Sequence, residues 1–129
     1  MIDPAFEKWQ SQLRKGFLEL CVLVILEERR QSYGLELLHV LEQSGLDVRE
    51  GTLYPLLNRL HKSGWLESNW ETPVDGGHPR RFYKLSAVGK NQLAPMLATY
   101  QANTASFERL VQGSLASLSR ALEAQETPP

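Results

Sequence analysis

From Leu93 onward, apolar or small side chains fall at Leu93, Leu97, Tyr100, Thr104, Phe107, Val111, Leu115, Leu118 and Leu122, in steps of three or four residues. That spacing is close to a heptad stripe along one helix. At 1.5 Å per residue, a helix over residues 87–122 is about 54 Å long. A chain of 129 residues has material for one core, and the residues before the stripe cannot cover so long a face. The stripe therefore demands a partner, and the simplest partner is a second copy of the chain. Two features interrupt it. Pro95 removes the hydrogen bond to the Asn91 carbonyl and predicts a kink. Gly113-Ser114 is a second soft point, and residues 124–129 are expected to fray.

Three helical segments precede the stripe. The first is expected over residues 4–28. It is amphipathic at Phe6, Trp9, Leu13 and Phe17, then apolar almost all round from Leu18 to Leu26, broken only by Glu19. The second is expected to start at Ser32 as N-cap, to carry Leu35, Leu37, Leu38 and Leu41, and to stop at Gly45. The third begins near Glu50-Gly51-Thr52 and ends at Ser63-Gly64. Leu53, Leu57 and Leu60 form its core side, and Pro55 is tolerated in or near the first turn.

A hairpin follows. Residues 65–71 alternate and carry Trp65 and Trp70, which are expected to anchor the hairpin on the helices. Residues 72–79 are dense in turn chemistry, residues 81–85 return as a strand, and Ser86 caps the long helix. Three helices, a two-stranded hairpin and a helix is the order of a winged helix-turn-helix. The fold class expected is mainly α with a small β-hairpin: residues 1–86 a winged helix-turn-helix domain, residues 87–123 a long C-terminal dimerisation helix, residues 124–129 a tail.

The chemistry on the third helix points to duplex DNA. Opposite its leucines lie Thr52, Tyr54, Pro55, Asn58, Arg59 and Lys62. Asn and Arg suit base edges, and Thr, Tyr and Lys suit phosphates. Arg80 and Arg81 flank the Gly76-Gly77 tip as phosphate or minor-groove contacts. The free amides at Ser32-Tyr33-Gly34 offer a phosphate seat. The formal net charge of −1 gives no global pull toward a polyanion. Residues 47–90, however, hold seven Lys+Arg against five Asp+Glu, so the positive excess sits where those contacts lie.

Other classes are excluded or disfavoured. The single Cys21 cannot form an internal disulfide, and in its apolar run it reads as a small buried hydrophobe. His39, His61 and His78 lie on three different elements without metal-ligand spacing, so neither metal nor cofactor is expected. No nucleophile–base pair, carboxylate pair or phosphate loop speaks for an enzyme. No apolar run reaches the roughly 20 residues of a membrane span, and the start lacks a signal-peptide layout, so a cytoplasmic location is expected.

Several segments resemble the PadR family of transcriptional regulators. They are Leu13-Arg14-Lys15-Gly16-Phe17-Leu18-Glu19-Leu20, Tyr33-Gly34-Leu35-Glu36-Leu37, the run from Glu50 to Leu60, and Gly76-Gly77-His78-Pro79-Arg80-Arg81-Phe82-Tyr83-Lys84-Leu85-Ser86 with Gly89. The tail is similar to that of the branch with one long C-terminal helix. The resemblance implies a homodimer on an inverted repeat, acting as a repressor, with the first and long helices building the dimer interface. It also implies, for some members, a flat aromatic or phenolic effector held between those helices. Carried over, Tyr54, Asn58 and Arg59 fall on the recognition helix and Arg80 and Arg81 on the wing; with Tyr33, Thr52, Pro55 and Lys62 from the chemistry above, these are the expected DNA-binding residues. Phe6, Trp9, Leu13, Phe17, Leu93, Leu97, Tyr100, Phe107 and Val111 fall to the dimer interface or an effector pocket. The chain departs from the family pattern at His61, where an acidic residue is common, and at Pro95, where the family helix is uninterrupted. In such a dimer the recognition helices would sit about 34 Å apart on a near-palindrome, and an effector would act by changing the angle of the long helices. The rival class is a winged-helix protein-interaction module that never touches DNA.

Overall fold

The computed structural model describes residues 2–114 and 116–126. Leu115 of the stripe and residues 127–129 of the expected tail lie outside the described residues. Helix α1 spans Pro4–Arg29. The Asp3 carboxylate caps its start by accepting from the Ala5 amide at 2.8 Å, and Pro4 occupies the first position, where no amide is needed. The two halves of α1 differ. Leu18, Leu20, Val22, Leu23 and Leu26 are buried, whereas Phe6, Trp9 and Leu13 are 45%, 54% and 60% exposed.

Ser32 is not the cap of the second helix. It belongs to a two-residue strand, β1 (Ser32–Tyr33), and α2 runs Gly34–Gln43. Ser32 is fully buried opposite Tyr83 in a ladder, and its hydroxyl donates to Glu36 Oε1 at 2.6 Å. The hydroxyl therefore ties the strand to the helix instead of capping it, and α2 begins without a side-chain cap. At its far end the Gly45 stop holds. Gly45 lies at φ 93°, its amide donates to the Glu42 carbonyl and that of Leu46 to Leu41, the paired closure that needs a left-handed residue.

Helix α3 spans Glu50–Lys62 and buries Leu53, Leu56, Leu57 and Leu60. Pro55 is its sixth residue, near the first turn but past the amides that need no partner. The missing amide leaves the Gly51 carbonyl without its helical donor. Strands β2 (Leu66–Glu71) and β3 (Arg80–Leu85) form the expected hairpin, with Leu66 opposite Leu85 and Trp70 opposite Arg81. The sheet is three-stranded rather than two-stranded, in the order β1-β3-β2, because β1 adds to the free edge of β3. Trp65 is half-buried. Trp70, expected to anchor the hairpin, is 68% exposed: it shares the face of Leu66 and Ser68, but lies near the far end of β2, beyond the stretch where that face is buried.

Ser86 does cap the next helix. Its Oγ accepts from the Gly89 amide at 3.0 Å and donates to the Gly64 carbonyl at 2.5 Å. Helix α4 spans Ala87–Gln112, with Pro95 inside it, and α5 spans Ala116–Glu126. The single helix expected over residues 87–123 is thus broken at Gly113-Ser114, where glycine loses the most backbone freedom by staying helical. Residues 124–126, expected to fray, continue α5. The chain forms two compact units, Met1–Ala94 and Pro95–Pro129.

Candidate nucleic-acid interface

The register of α3 decides which of its side chains meet solvent. With four leucines buried, Thr52, Tyr54, Pro55, Asn58, Arg59 and Lys62 are all exposed on the remaining arc. At 100° per residue this arc has two edges. Tyr54 and Asn58 lie toward the β-hairpin, or wing, and line a hollow of about 380 Å³ together with Tyr33, Trp70, Arg80 and Arg81. Thr52, Pro55 and Arg59 lie toward α1 and border a second groove with Arg14 and Lys15. Lys62 lies between, with no ion pair among the described residues.

The wing edge is built from rings and guanidinium groups. The Arg80 guanidinium sits 4.6 Å from the Tyr33 ring centroid, and the Tyr33 and Phe82 rings meet edge to face at 5.3 Å. Tyr54 lies against the start of α2, where a Cβ at Gly34 would come within 2.6 Å of the Tyr54 Cε1. Only glycine lets the ring pack there. Burial raises the Tyr54 phenol above its ordinary pKa, and the nearby Glu50 and Tyr83 push the same way. The hydroxyl thus stays protonated and can donate to an anion.

Arg81 occupies a different environment from Arg80. Neighbouring strand residues point to opposite faces, and Arg81 is half-buried beside the Tyr83 ring, 5.1 Å from its centroid. It donates to Ser68 Oγ at 3.1 Å, and Ser68 Oγ also lies 3.4 Å from His61 Nε2. The Arg81 Nε is buried without a hydrogen-bond partner. The two wing arginines are therefore unequal: Arg80 is available to a ligand, and Arg81 mainly links β3 to β2.

The α1 edge holds two contacts that span long stretches of sequence. Arg59 pairs with Glu19 of α1 at 3.3 Å, and Arg14 donates to the Asp47 carbonyl at 2.6 Å. Glu19 and Ser68 went unpredicted as partners of the site, and Gly34, expected as part of a phosphate seat, went unpredicted as the surface on which Tyr54 packs. The one sequence signal among them was Glu19, the only charge inside the apolar run of α1.

The expected partner-facing residues fall on two elements. On α1, Phe6 and Trp9 stack on each other at 5.8 Å and are exposed with Leu13, while Phe17 is half-buried. On α4, Leu97, Tyr100 and Phe107 are exposed, and Leu93 and Val111 are half-buried. Cys21 is half-buried, and burial raises its thiol pKa, so little of it is nucleophilic thiolate. Among the described residues no cluster of three His, Cys, Asp or Glu is placed to hold a metal ion. Among them also, no helix is long and apolar enough to cross a membrane.

Residues 22–95 match the model of the transcriptional regulator PadR-like family. The chain is similar to a PadR-like transcriptional regulator of Bacillus cereus at 32% identity, covering 80% of this chain and 99% of that one, with a TM-score of 0.70. A PadR-like transcription factor of Bacteroides fragilis is 33% identical over 80% of this chain and 98% of that one, with a TM-score of 0.67. A PadR family transcriptional regulator of Eggerthella lenta is 28% identical over 85% and 95% of the two chains, with a TM-score of 0.73.

Proposed function

The chain belongs to the PadR-like family of transcriptional regulators, and from that premise we propose that it represses transcription as a homodimer bound to an inverted-repeat operator. It is a regulator with a winged-helix fold and not an enzyme. The observation that carries the DNA reading is the exposed arc of α3: Tyr54, Asn58 and Lys62 face solvent over a leucine core, with Arg80 of the wing beside them. Asn58 reads an adenine edge in the major groove, Lys62 takes a phosphate, and Tyr54 and Arg80 grip the backbone where the wing begins. Tyr33 contributes through its ring, which orients Arg80. Thr52 and Pro55 border the phosphate on the α1 side.

Dimerisation rests on the exposed large apolar groups of α1 and α4. Solvent-facing Phe6, Trp9, Leu13, Leu97, Tyr100 and Phe107 are more than a monomer exposes by chance. Two copies present two recognition helices about one turn of DNA apart. Relief by a flat aromatic compound is the last part of the proposal, and Trp9 supplies its readout as a change in fluorescence on titration.

Selection from random duplexes, followed by footprinting, tests the reading. The enriched sites should be near-palindromes with half-sites about ten base pairs apart. Asn58→Ala should cost about 1–3 kcal/mol and relax preference at one position per half-site. Lys62→Ala should weaken all duplexes alike and lower the salt slope by about one per protomer. A chain that enriches no duplex is a protein-interaction module instead.

A further inference from the structure

Arg59 and Lys62 both lie on the exposed arc of α3, yet only Arg59 is held. Its guanidinium meets Glu19 Oε1 at 3.3 Å, forty residues away in sequence. The side chains are 45% and 24% exposed, so Glu19 is the fixed partner and Arg59 the one that can leave. A pair so exposed is weakly held, and a phosphate or a guanine edge can compete for the guanidinium. A randomly placed phosphate must first break the pair and reorder a long side chain. An operator that docks α3 in register offers the replacement acceptor at once.

We propose that Glu19 is a specificity-determining positioning residue, which sequesters Arg59 on α1 until a correctly docked operator supplies a better acceptor. The proposal rests on the DNA-binding reading above and concerns how that same face discriminates. In unrelated DNA complexes Arg59 stays on Glu19 and neutralises no phosphate. In the operator complex Arg59 transfers to the duplex. Glu19 thus lowers affinity for unrelated DNA more than for the operator, a form of selection by a competing contact.

The test uses the full chain, the duplex enriched from random sequence and a scrambled duplex of equal length. Affinities are measured over a series of salt concentrations for wild type, Glu19→Gln, Arg59→Ala and the double variant. Glutamine keeps the size of the side chain and removes its charge. Glu19→Gln should tighten binding to the scrambled duplex and steepen its salt dependence by about 0.9 per engaged protomer. The operator preference should fall roughly two- to fivefold, the range an exposed pair can supply. In the Arg59→Ala background the same substitution should change neither quantity. An equal change in that background means that only a lost negative charge was felt, and overturns the proposal. So does an unchanged slope and preference in Glu19→Gln. A wild type that enriches no duplex overturns the proposal together with the reading beneath it, whereas the other two results overturn it alone.

Discussion

The two units of the chain treat the same kind of side chain in opposite ways. In Met1–Ala94, thirteen buried leucines and valines close a core with Tyr83, and Val22, Leu23, Leu37, Leu53 and Leu57 are 0% exposed. In Pro95–Pro129 no described residue is buried, and Phe107, Leu110 and Leu122 are 60%, 72% and 54% exposed. Both stretches carry apolar residues at helical spacing. The difference is what surrounds them. The first unit has three helices and a sheet to share each apolar stripe, and the second has only the rest of α4 and α5. Periodicity thus reports that a face will be buried, but not by which chain.

Three substitutions can break or sharpen this contrast. The largest effect is expected from Leu23→Ala, which empties space at the centre of the first unit. It should cost about 2–5 kcal/mol of stability, measured by urea unfolding at fixed protein concentration. Phe107→Glu should act on association. Equilibrium sedimentation should show dimer dissociation constants raised roughly a hundredfold, equivalent to about 2.7 kcal/mol. A helical spectrum and a first-unit core unchanged in hydrogen exchange would locate the loss outside that core. If Phe107→Glu left association unaltered, the exposed stripe would not be an interface. The smallest effect is expected from Trp70→Ala. Trp70 is as exposed as Phe107 but sits on the wing. Stability should move by no more than about 0.5 kcal/mol and association not at all. A drop in dimerisation here would mean that exposure alone does not separate the two units.

Local features of the fold were legible in the sequence where one residue type decides the geometry. Gly45 and Gly64 stop their helices in the left-handed region, at φ 93° and 79°. The leucines of α3 fixed which arc of that helix is exposed, so Tyr54, Asn58 and Lys62 could be placed in advance. What escaped depended on partners distant in sequence. Ser32 has the side chain of a good cap, but β3 claims its backbone and Glu36 its hydroxyl. Trp70 has the side chain of an anchor, and strand alternation does put it on the face of buried Leu66, but its place near the far end of β2 leaves that face uncovered. Arg80 and Arg81 are identical on paper, and the same alternation gives one to solvent and the other to Ser68 and Tyr83. Arg59 was read as a free contact because nothing in its own helix reveals the carboxylate waiting on α1.

Gly89 has a bearing on how such a chain can change through mutation. It is the one buried residue of α4, and a Cβ there would run into the Trp65 carbonyl at the edge of the wing. Backbone cannot step aside as a flexible side chain can, so even alanine forces the first turn of α4 off β2. Every amino-acid replacement at this codon adds at least that carbon. The joint between wing and long helix is therefore closed to stepwise substitution, while a change on the exposed surface of α4 beyond it alters which partner the helix accepts and leaves the joint intact. Novelty in what the helix recognises can accumulate without disturbing the seat from which it starts.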